Sequence, residues 1–363
     1  MKELDAIHKT MDRRRFLQKM AGAGALIATT QLPSWGQEKH QTPADTASQK
    51  FTGQPGGAGT ADALQSDRPE VFPERGDYER LALSYAIVRI GLERPFSVLH
   101  LSDSHLAAAY THEDEKKQRL HLRRTQTFGG RQEEALRDAL DWAKKHVEYV
   151  VHTGDLIDWQ SEANFDLVRK YFGQSYIGAV GNHEFSPDMW LSEPKESRDE
   201  AWKDRTRARL QEVYPFDIRL HSQVAHGVNF VTLDNVFGTV TWEQVQRFRE
   251  EVKKGLPIVL CMHVPFYDDN IWLVTRKMWT REGLLNETAL KDGALPAPGG
   301  DYKAQLEDPV TRDFIASLKQ EPLLKCILSG HAHLTFEEPF SPTCRQYLVA
   351  GGFLFTAREV LFL

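Results

Sequence analysis

Short apolar runs of strand length recur along the chain, and five of them stop abruptly at polar residues of one kind. Phe96-Ser97-Val98-Leu99-His100-Leu101 leads into Ser102-Asp103-Ser104-His105, and Val147-Glu148-Tyr149-Val150-Val151 into Gly154-Asp155-Leu156-Ile157-Asp158. Tyr176-Ile177-Gly178-Ala179-Val180 leads into Gly181-Asn182-His183-Glu184, and Ile258-Val259-Leu260-Cys261-Met262 into His263. Leu323-Leu324-Lys325-Cys326-Ile327-Leu328 leads into Gly330-His331-Ala332-His333. Near-continuous apolar runs of this length predict strands. Residues 81–90 also read as a strand, and residues 346–353 and 360–363 as closing strands. Between the runs, Ala135, Leu136, Ala139, Leu140 and Ala143 recur at helical spacing and predict a helix over 131–147. Residues 242–252 and 309–318 predict two more. Strands alternating with helices imply α/β layering. In such sheets the strand ends gather at one edge, so the five polar clusters are expected to meet in space.

Composition narrows the class without changing that picture. The 363 residues are 41% apolar and 26% charged, which excludes disordered, collagenous and multi-span membrane chains. The length suits one large or two ordinary domains. With 45 Lys+Arg against 51 Asp+Glu the formal charge is −6, so the balance argues against nucleic-acid binding by charge. Cys261, Cys326 and Cys344 cannot build a disulfide framework. The first two sit inside apolar runs as small hydrophobes, and Cys344 reads as a loop residue.

The N-terminus reads as an address. Asp12-Arg13-Arg14-Arg15-Phe16-Leu17-Gln18-Lys19, followed by a mild Ala/Gly-rich stretch, resembles a twin-arginine export signal. Its apolar run is too short for a spanning helix, which needs about 20 residues. Cleavage is expected after Gly36, making 1–36 the signal peptide and giving the mature chain a charge of −9. An uncleaved signal would instead serve as a membrane anchor. Residues 37–76, rich in Gly, Pro, Ala and Thr, read as a flexible linker, and 77–363 as the catalytic domain. The resemblance implies export through the twin-arginine machinery to the periplasm or the extracellular space.

The gathered set comprises Asp103, His105, Asp155, Asn182, His263, His331 and His333. These are oxygen and nitrogen donors without a thiolate, which suits Mn, Fe, Zn or Co rather than a sulfur-rich structural zinc site. Seven ligands exceed one ordinary ion and suit two. Two divalent ions with two aspartates and a bridging hydroxide would leave about +1, an attractor for a phosphoryl group on an acidic protein.

In order and in full, these blocks resemble the D-x-H, G-D-x-x-D, G-N-H-[E/D], H and G-H-x-H pattern of the calcineurin-like metallophosphoesterases. Leu233-Asp234-Asn235 after a strand, Gly238 and Glu243-Gln244 add to the match. The resemblance implies an α/β fold of two packed mixed β-sheets flanked by helices, with a dinuclear metal site at the strand ends. It implies two divalent or trivalent ions, Mn, Fe or Zn. One would be held by Asp103, His105, Asp155 and His333, the other by Asp155, Asn182, His263 and His331. It implies hydrolysis of phosphomonoesters or phosphodiesters by attack of a dimetal-bridging hydroxide. His183 would contact the phosphate and act as general acid, held in its tautomer by Asp158, with Glu184 behind the ligands.

The alternative is a metal-centred binding protein on the same fold that captures a phosphorylated ligand or partner. His100, His112, His121, His146, His152, His221 and His226 match no motif position and read as surface or satisfied histidines. Substrate choice is expected to lie in three inserted loops, 106–130, 185–215 and 264–308. The first carries Lys116, Lys117, Arg119, Arg123 and Arg124; the third carries Trp272, Arg276, Lys277, Trp279 and Arg281. In the third, basic and aromatic side chains together suggest a substrate rim.

Overall fold

Parallel strands buried on both faces need apolar residues at every position, and the strand Ile258–Met262 shows what that achieves. All five of its residues are buried. Ile258, Leu260 and Met262 pack on one side with Phe248, Phe314 and Ile315, while Val259 and Cys261 pack on the other with Val98, Val151 and Ile177. This computed structural model describes residues 80–172, 176–189, 200–278 and 308–363, except the side chains of 272 and 276–278. The proposed signal and linker lie outside the described residues, as do 190–199 and 279–307 of the second and third inserted loops, with Trp279 and Arg281.

Among the described residues the strands are β1 (Ala82–Val88), β2 (Phe96–Leu101), β3 (Tyr149–Thr153), β4 (Tyr176–Ala179), β5 (Leu220–Ala225) and β6 (Val228–Leu233). They continue with β7 (Ile258–Met262), β8 (Leu324–Ser329), β9 (Phe336–Ser341), β10 (Cys344–Leu348) and β11 (Thr356–Phe362). The helices are α1 (Glu115–Thr127), α2 (Gln132–His146), α3 (Glu162–Tyr171), α4 (Glu200–Gln211), α5 (Trp242–Val252), α6 (Asp269–Met278) and α7 (Pro309–Leu318). One sheet runs β1-β11-β2-β3-β4 and the other β5-β6-β7-β8-β10-β9. Both are mixed. β2, β3 and β4 are parallel, as are β6, β7, β8 and β10, while β11 is antiparallel to β2 and β9 to β10.

The sheets pack face to face through Val98, Val151, Ile177, Phe230, Val259, Cys326, Leu328, Val360 and Phe362. Helix α2 covers the outer face of the first sheet with Leu136, Ala139 and Trp142. Helices α5 and α7 cover the second with Val245, Phe248, Phe314 and Ile315. The observed class is therefore two mixed sheets flanked by helices, as the family resemblance implied. No helix among the described residues is long and apolar enough to cross a membrane.

The elements that the apolar pattern missed have little apolar pattern to show. Helix α1 lies inside what reads as the first inserted loop, and Leu120 alone of its residues is buried. Its signal was a cap: the Asp114 side chain accepts from Lys117 N, and Glu115 opens the helix. Edge strand β5 buries only its two end residues. The run at 346–353 ends as a strand at Leu348, and Gly352–Leu354 forms a 3-10 turn. Cys344 is not a loop residue but the buried first residue of β10, where burial pushes its thiol up to about 12. Such a thiol is inert.

Candidate metal centre

Each polar cluster begins within a few residues of the C-terminal end of a parallel strand: β2, β3 and β4 in one sheet, β7 and β8 in the other. The loops that follow turn sharply. Asp103, His105, Asp155, His331 and His333 all have positive φ, between 48° and 64°. Non-glycine residues seldom hold that conformation, and it collects at functional sites. Five candidate ligands are thus bent inward at a cost that surrounding contacts must support.

Those contacts are close. Gly154 has φ +94°, and a Cβ there would come within 2.7 Å of His263 Nδ1 and 2.6 Å of Gly181 N. A Cβ on Gly330 would overlap Ser102 Oγ and stand 2.5 Å from Asp103 Oδ2. Gly330→Ala is therefore expected to cost about 1–3 kcal/mol of stability. It should also loosen metal binding, because Asp103 Oδ2 accepts from His331 N at 2.9 Å. Thermal melting beside metal titration checks this, and an unshifted melt would contradict the steric reading.

Two groups hold six of the sequence-derived donors, and a third, His105 with Asp155 and His183, overlaps both. Asp103, His105 and His333 form one: His333 Nε2 is 3.1 Å from both Asp103 Oδ1 and His105 Nε2. Asp155, His263 and His331 form the other, with His263 Nε2 3.2 Å from Asp155 Oδ2, 3.1 Å from Asn182 Oδ1 and 3.1 Å from His331 Nδ1. Asp155 Oδ2 also lies 3.8 Å from His105 Nε2, so one carboxylate faces both groups. All seven residues of the sequence-derived set are brought together here, from both sheets.

The donor set fits cations. Asp103 Oδ1 is buried and makes no well-formed hydrogen bond. His105 directs Nδ1 to Asp158 Oδ1 at 2.8 Å, and His263 directs Nδ1 to Thr153 O at 2.7 Å. A ring that donates from Nδ1 presents its Nε2 lone pair to the cluster, as a metal-ligating histidine does. Positive charge between them stabilises ring nitrogens that face one another beside buried carboxylates.

His183 stands beside this set. Its backbone N donates to Asp155 Oδ1 at 2.8 Å. Its Nδ1 is 3.0 Å from Asp158 Oδ1 and 2.9 Å from Asp158 O, while Nε2 is 3.9 Å from Asp155 Oδ2. Burial works to lower the His183 pKa, but the Asp155 and Asp158 carboxylates raise it to about 9. His263 rises to about 10 by the same competition of burial with Asp155. Burial prevails at His105, which falls to about 4 despite Asp158. Burial opposes the charge of Asp158, yet Arg124 and His183 hold its carboxyl well below the usual range.

Glu184 is a brace. It accepts from Gly181 N at 2.8 Å, Asp155 N at 3.0 Å, Leu156 N at 2.7 Å and the Tyr214 hydroxyl at 3.1 Å, joining two ligand loops. Two amide side chains fix the segment after His263. Asn235 bonds both Val264 O and Val264 N, and Gln346 both Phe266 N and Phe266 O. Phe128, Tyr214 and Gln346 carried no sequence signal, and Arg124 was read only as one of the basic residues of the first inserted loop, because each reaches the site across a long chain separation.

The remaining histidines among the described residues find other partners. His100 pairs with Thr153 Oγ1, His152 with Ser104 Oγ, His121 with Ala107 O, His112 with Glu162 and His226 with Glu148. His146 lies against Trp142, and His221 against Phe216.

Residues 96–334, more than half of the chain, match the family model described as calcineurin-like phosphoesterase. No curated protein gives a significant match. Solved structures with similarity include a dimetal phosphatase from Danio rerio, 14% identical, covering 71% of this chain and 88% of that one at a TM-score of 0.39. YfkN, a calcineurin-like phosphoesterase from Bacillus subtilis, is 10% identical over 71% and 82% of the two chains at 0.33. A 5′-nucleotidase from Candida albicans is 10% identical over 76% of this chain and 47% of its own at 0.33. The assignment rests on the family match. The chain belongs to the calcineurin-like phosphoesterase family, as a metal-dependent hydrolase of phosphoric ester bonds with a dinuclear divalent metal site.

Proposed function

We propose that residues 77–363 are the catalytic domain of an exported phosphoesterase that hydrolyses phosphomonoesters or phosphodiesters between two metal ions. The observation that carries this reading is Asp155, whose Oδ2 faces His263 at 3.2 Å and His105 at 3.8 Å. Asp103, His105, Asp155 and His333 would hold one ion, and Asp155, Asn182, His263 and His331 the other. Bound there, the pair supplies Lewis acidity toward the phosphoryl oxygens and activates water at neutral pH.

The chain's own groups do the rest. His183 Nε2 is directed toward the cluster and is placed to bind a phosphoryl oxygen and give a proton to the leaving oxygen. Asp158, by accepting from Nδ1, keeps that proton on Nε2's side of the exchange and steadies the imidazolium. Mn, Fe and Zn all suit the donor set. Export rests on the twin-arginine pattern at Arg13-Arg14-Arg15-Phe16-Leu17, with 1–36 as the signal and 37–76 as the tether.

Hydrolysis of bis(p-nitrophenyl) phosphate beside p-nitrophenyl phosphate, with the metal content measured, tests the proposal. Turnover of at least one ester that rises to a plateau at two ions per chain is expected. Loss of it on chelation and return on reloading should follow. No turnover of either ester by protein holding two ions would overturn the reading.

A further inference from the structure

We infer that Arg124 is a positioning residue that acts on His183 and His105 through Asp158. The inference rests on the role proposed above for His183. Asp158 is fully buried and has much to hold. Its Oδ1 receives His105 Nδ1 at 2.8 Å, His183 Nδ1 at 3.0 Å and Arg124 Nη2 at 2.9 Å. Its Oδ2 receives Arg124 Nε.

Among the described residues Arg124 is thus the one side chain that grips both oxygens, and a bidentate guanidinium fixes the plane of a carboxylate as a single donor cannot. Two imidazoles with different tasks share one oxygen. If that carboxylate turned, both rings would lose the acceptor that sets their orientation and tautomer.

The same helix reaches the ligand by a second route. The Arg124 guanidinium lies 4.8 Å over the Phe128 ring, which stacks on His105 at 4.4 Å and 14°. Helix α1 is itself anchored at its start. Asp114 caps it, and the neighbouring Glu113 accepts from Glu162 N at 2.9 Å and Lys117 Nζ at 3.1 Å, tying the helix start to α3. With its fork committed to Asp158, Arg124 has its charge balanced before any phosphate arrives, which favours positioning over substrate binding.

A double-mutant cycle tests this with Arg124→Gln, Asp158→Asn and the pair, read as kcat, KM, metal content and thermal melting. Arg124→Gln is expected to lower kcat about 10–100-fold, as loss of a group behind a ligand does, with KM changed less than about threefold. The double variant should be no slower than Asp158→Asn alone, because the effect passes through that carboxylate. Arg124→Lys, which keeps the charge but not the fork, should recover part of kcat at an unchanged melting temperature.

Losses that multiply, or a raised KM with kcat intact, would overturn the inference while leaving the acid assignment standing. Wild-type turnover in Asp158→Asn alone would overturn that assignment and the inference with it. If Arg124→Gln does not fold, Arg124→Lys decides: a fall in kcat at constant melting temperature supports positioning, and a fall that tracks destabilisation overturns it.

Discussion

Asp155→Asn is expected to abolish measurable turnover and remove most of the bound metal, while the protein stays folded. Among the described residues, Oδ2 of Asp155 is the one carboxylate oxygen that faces both groups of histidines, at 3.2 Å from His263 and 3.8 Å from His105. An amide there loses the charge that draws two cations together, and can turn an NH2 toward ring nitrogens that must themselves be acceptors. The transition-state stabilisation lost is several kcal/mol, about three or more decades in rate. The backbone is spared: Asn tolerates the left-handed conformation held at φ 54°. Its carbonyl can still accept from His183 N, as Oδ1 does at 2.8 Å. Elemental analysis beside an ester hydrolysis assay checks this. Full activity with two ions bound would remove Asp155 from the bridging position.

The second large effect is expected from His183→Asn. Loss of a positioned general acid costs about 10²–10⁴-fold in rate. That loss depends on the leaving group. A p-nitrophenolate departs with little help, whereas an alkoxide needs the proton, so alkyl esters should suffer more than p-nitrophenyl esters. Metal content should not change, because the ring is committed through Nδ1 to Asp158. His183 does lie close enough to His105 and Asp155 to have been a ligand. A variant that loses an ion would therefore make it one, and equal losses for both classes of ester would dismiss the acid role.

The reading of the strands from sequence succeeded where burial leaves a covalent trace. Strands β2 and β7 match their predicted runs residue for residue; β7 is apolar throughout because both its faces are buried, and β2 departs from that only at Ser97 and His100. Helices α5 and α7 were equally legible. Thr241 and Gln244 form a capping box at the start of α5, and Asp308 with Pro309 opens α7. Helix α1 escaped because a surface helix with one buried residue has no stripe to read. The 346–353 run was over-read as strand because Gly351, Gly352 and Phe353 are apolar for another reason: Phe353 packs edge-on to His105 and His333 as part of the site wall.

The sequence by itself determined which donors this protein brings to its site and that they sit at strand ends, because a ligand type and its adjacency to an apolar run are both written along the chain. What only the tertiary structure decided is everything that acts through space. His333 meets Asp103 across 230 residues and two sheets, and five candidate ligands take a left-handed backbone that their residue types do not announce. Asp158 serves His105 and His183 at once, under the grip of an arginine from a helix that the pattern read as loop. A linear pattern records what each residue can donate, accept or bury. Which oxygen meets which nitrogen is fixed only when packing of the two sheets sets the distances, because hydrogen bonds and metal ligation weaken within a fraction of an ångström.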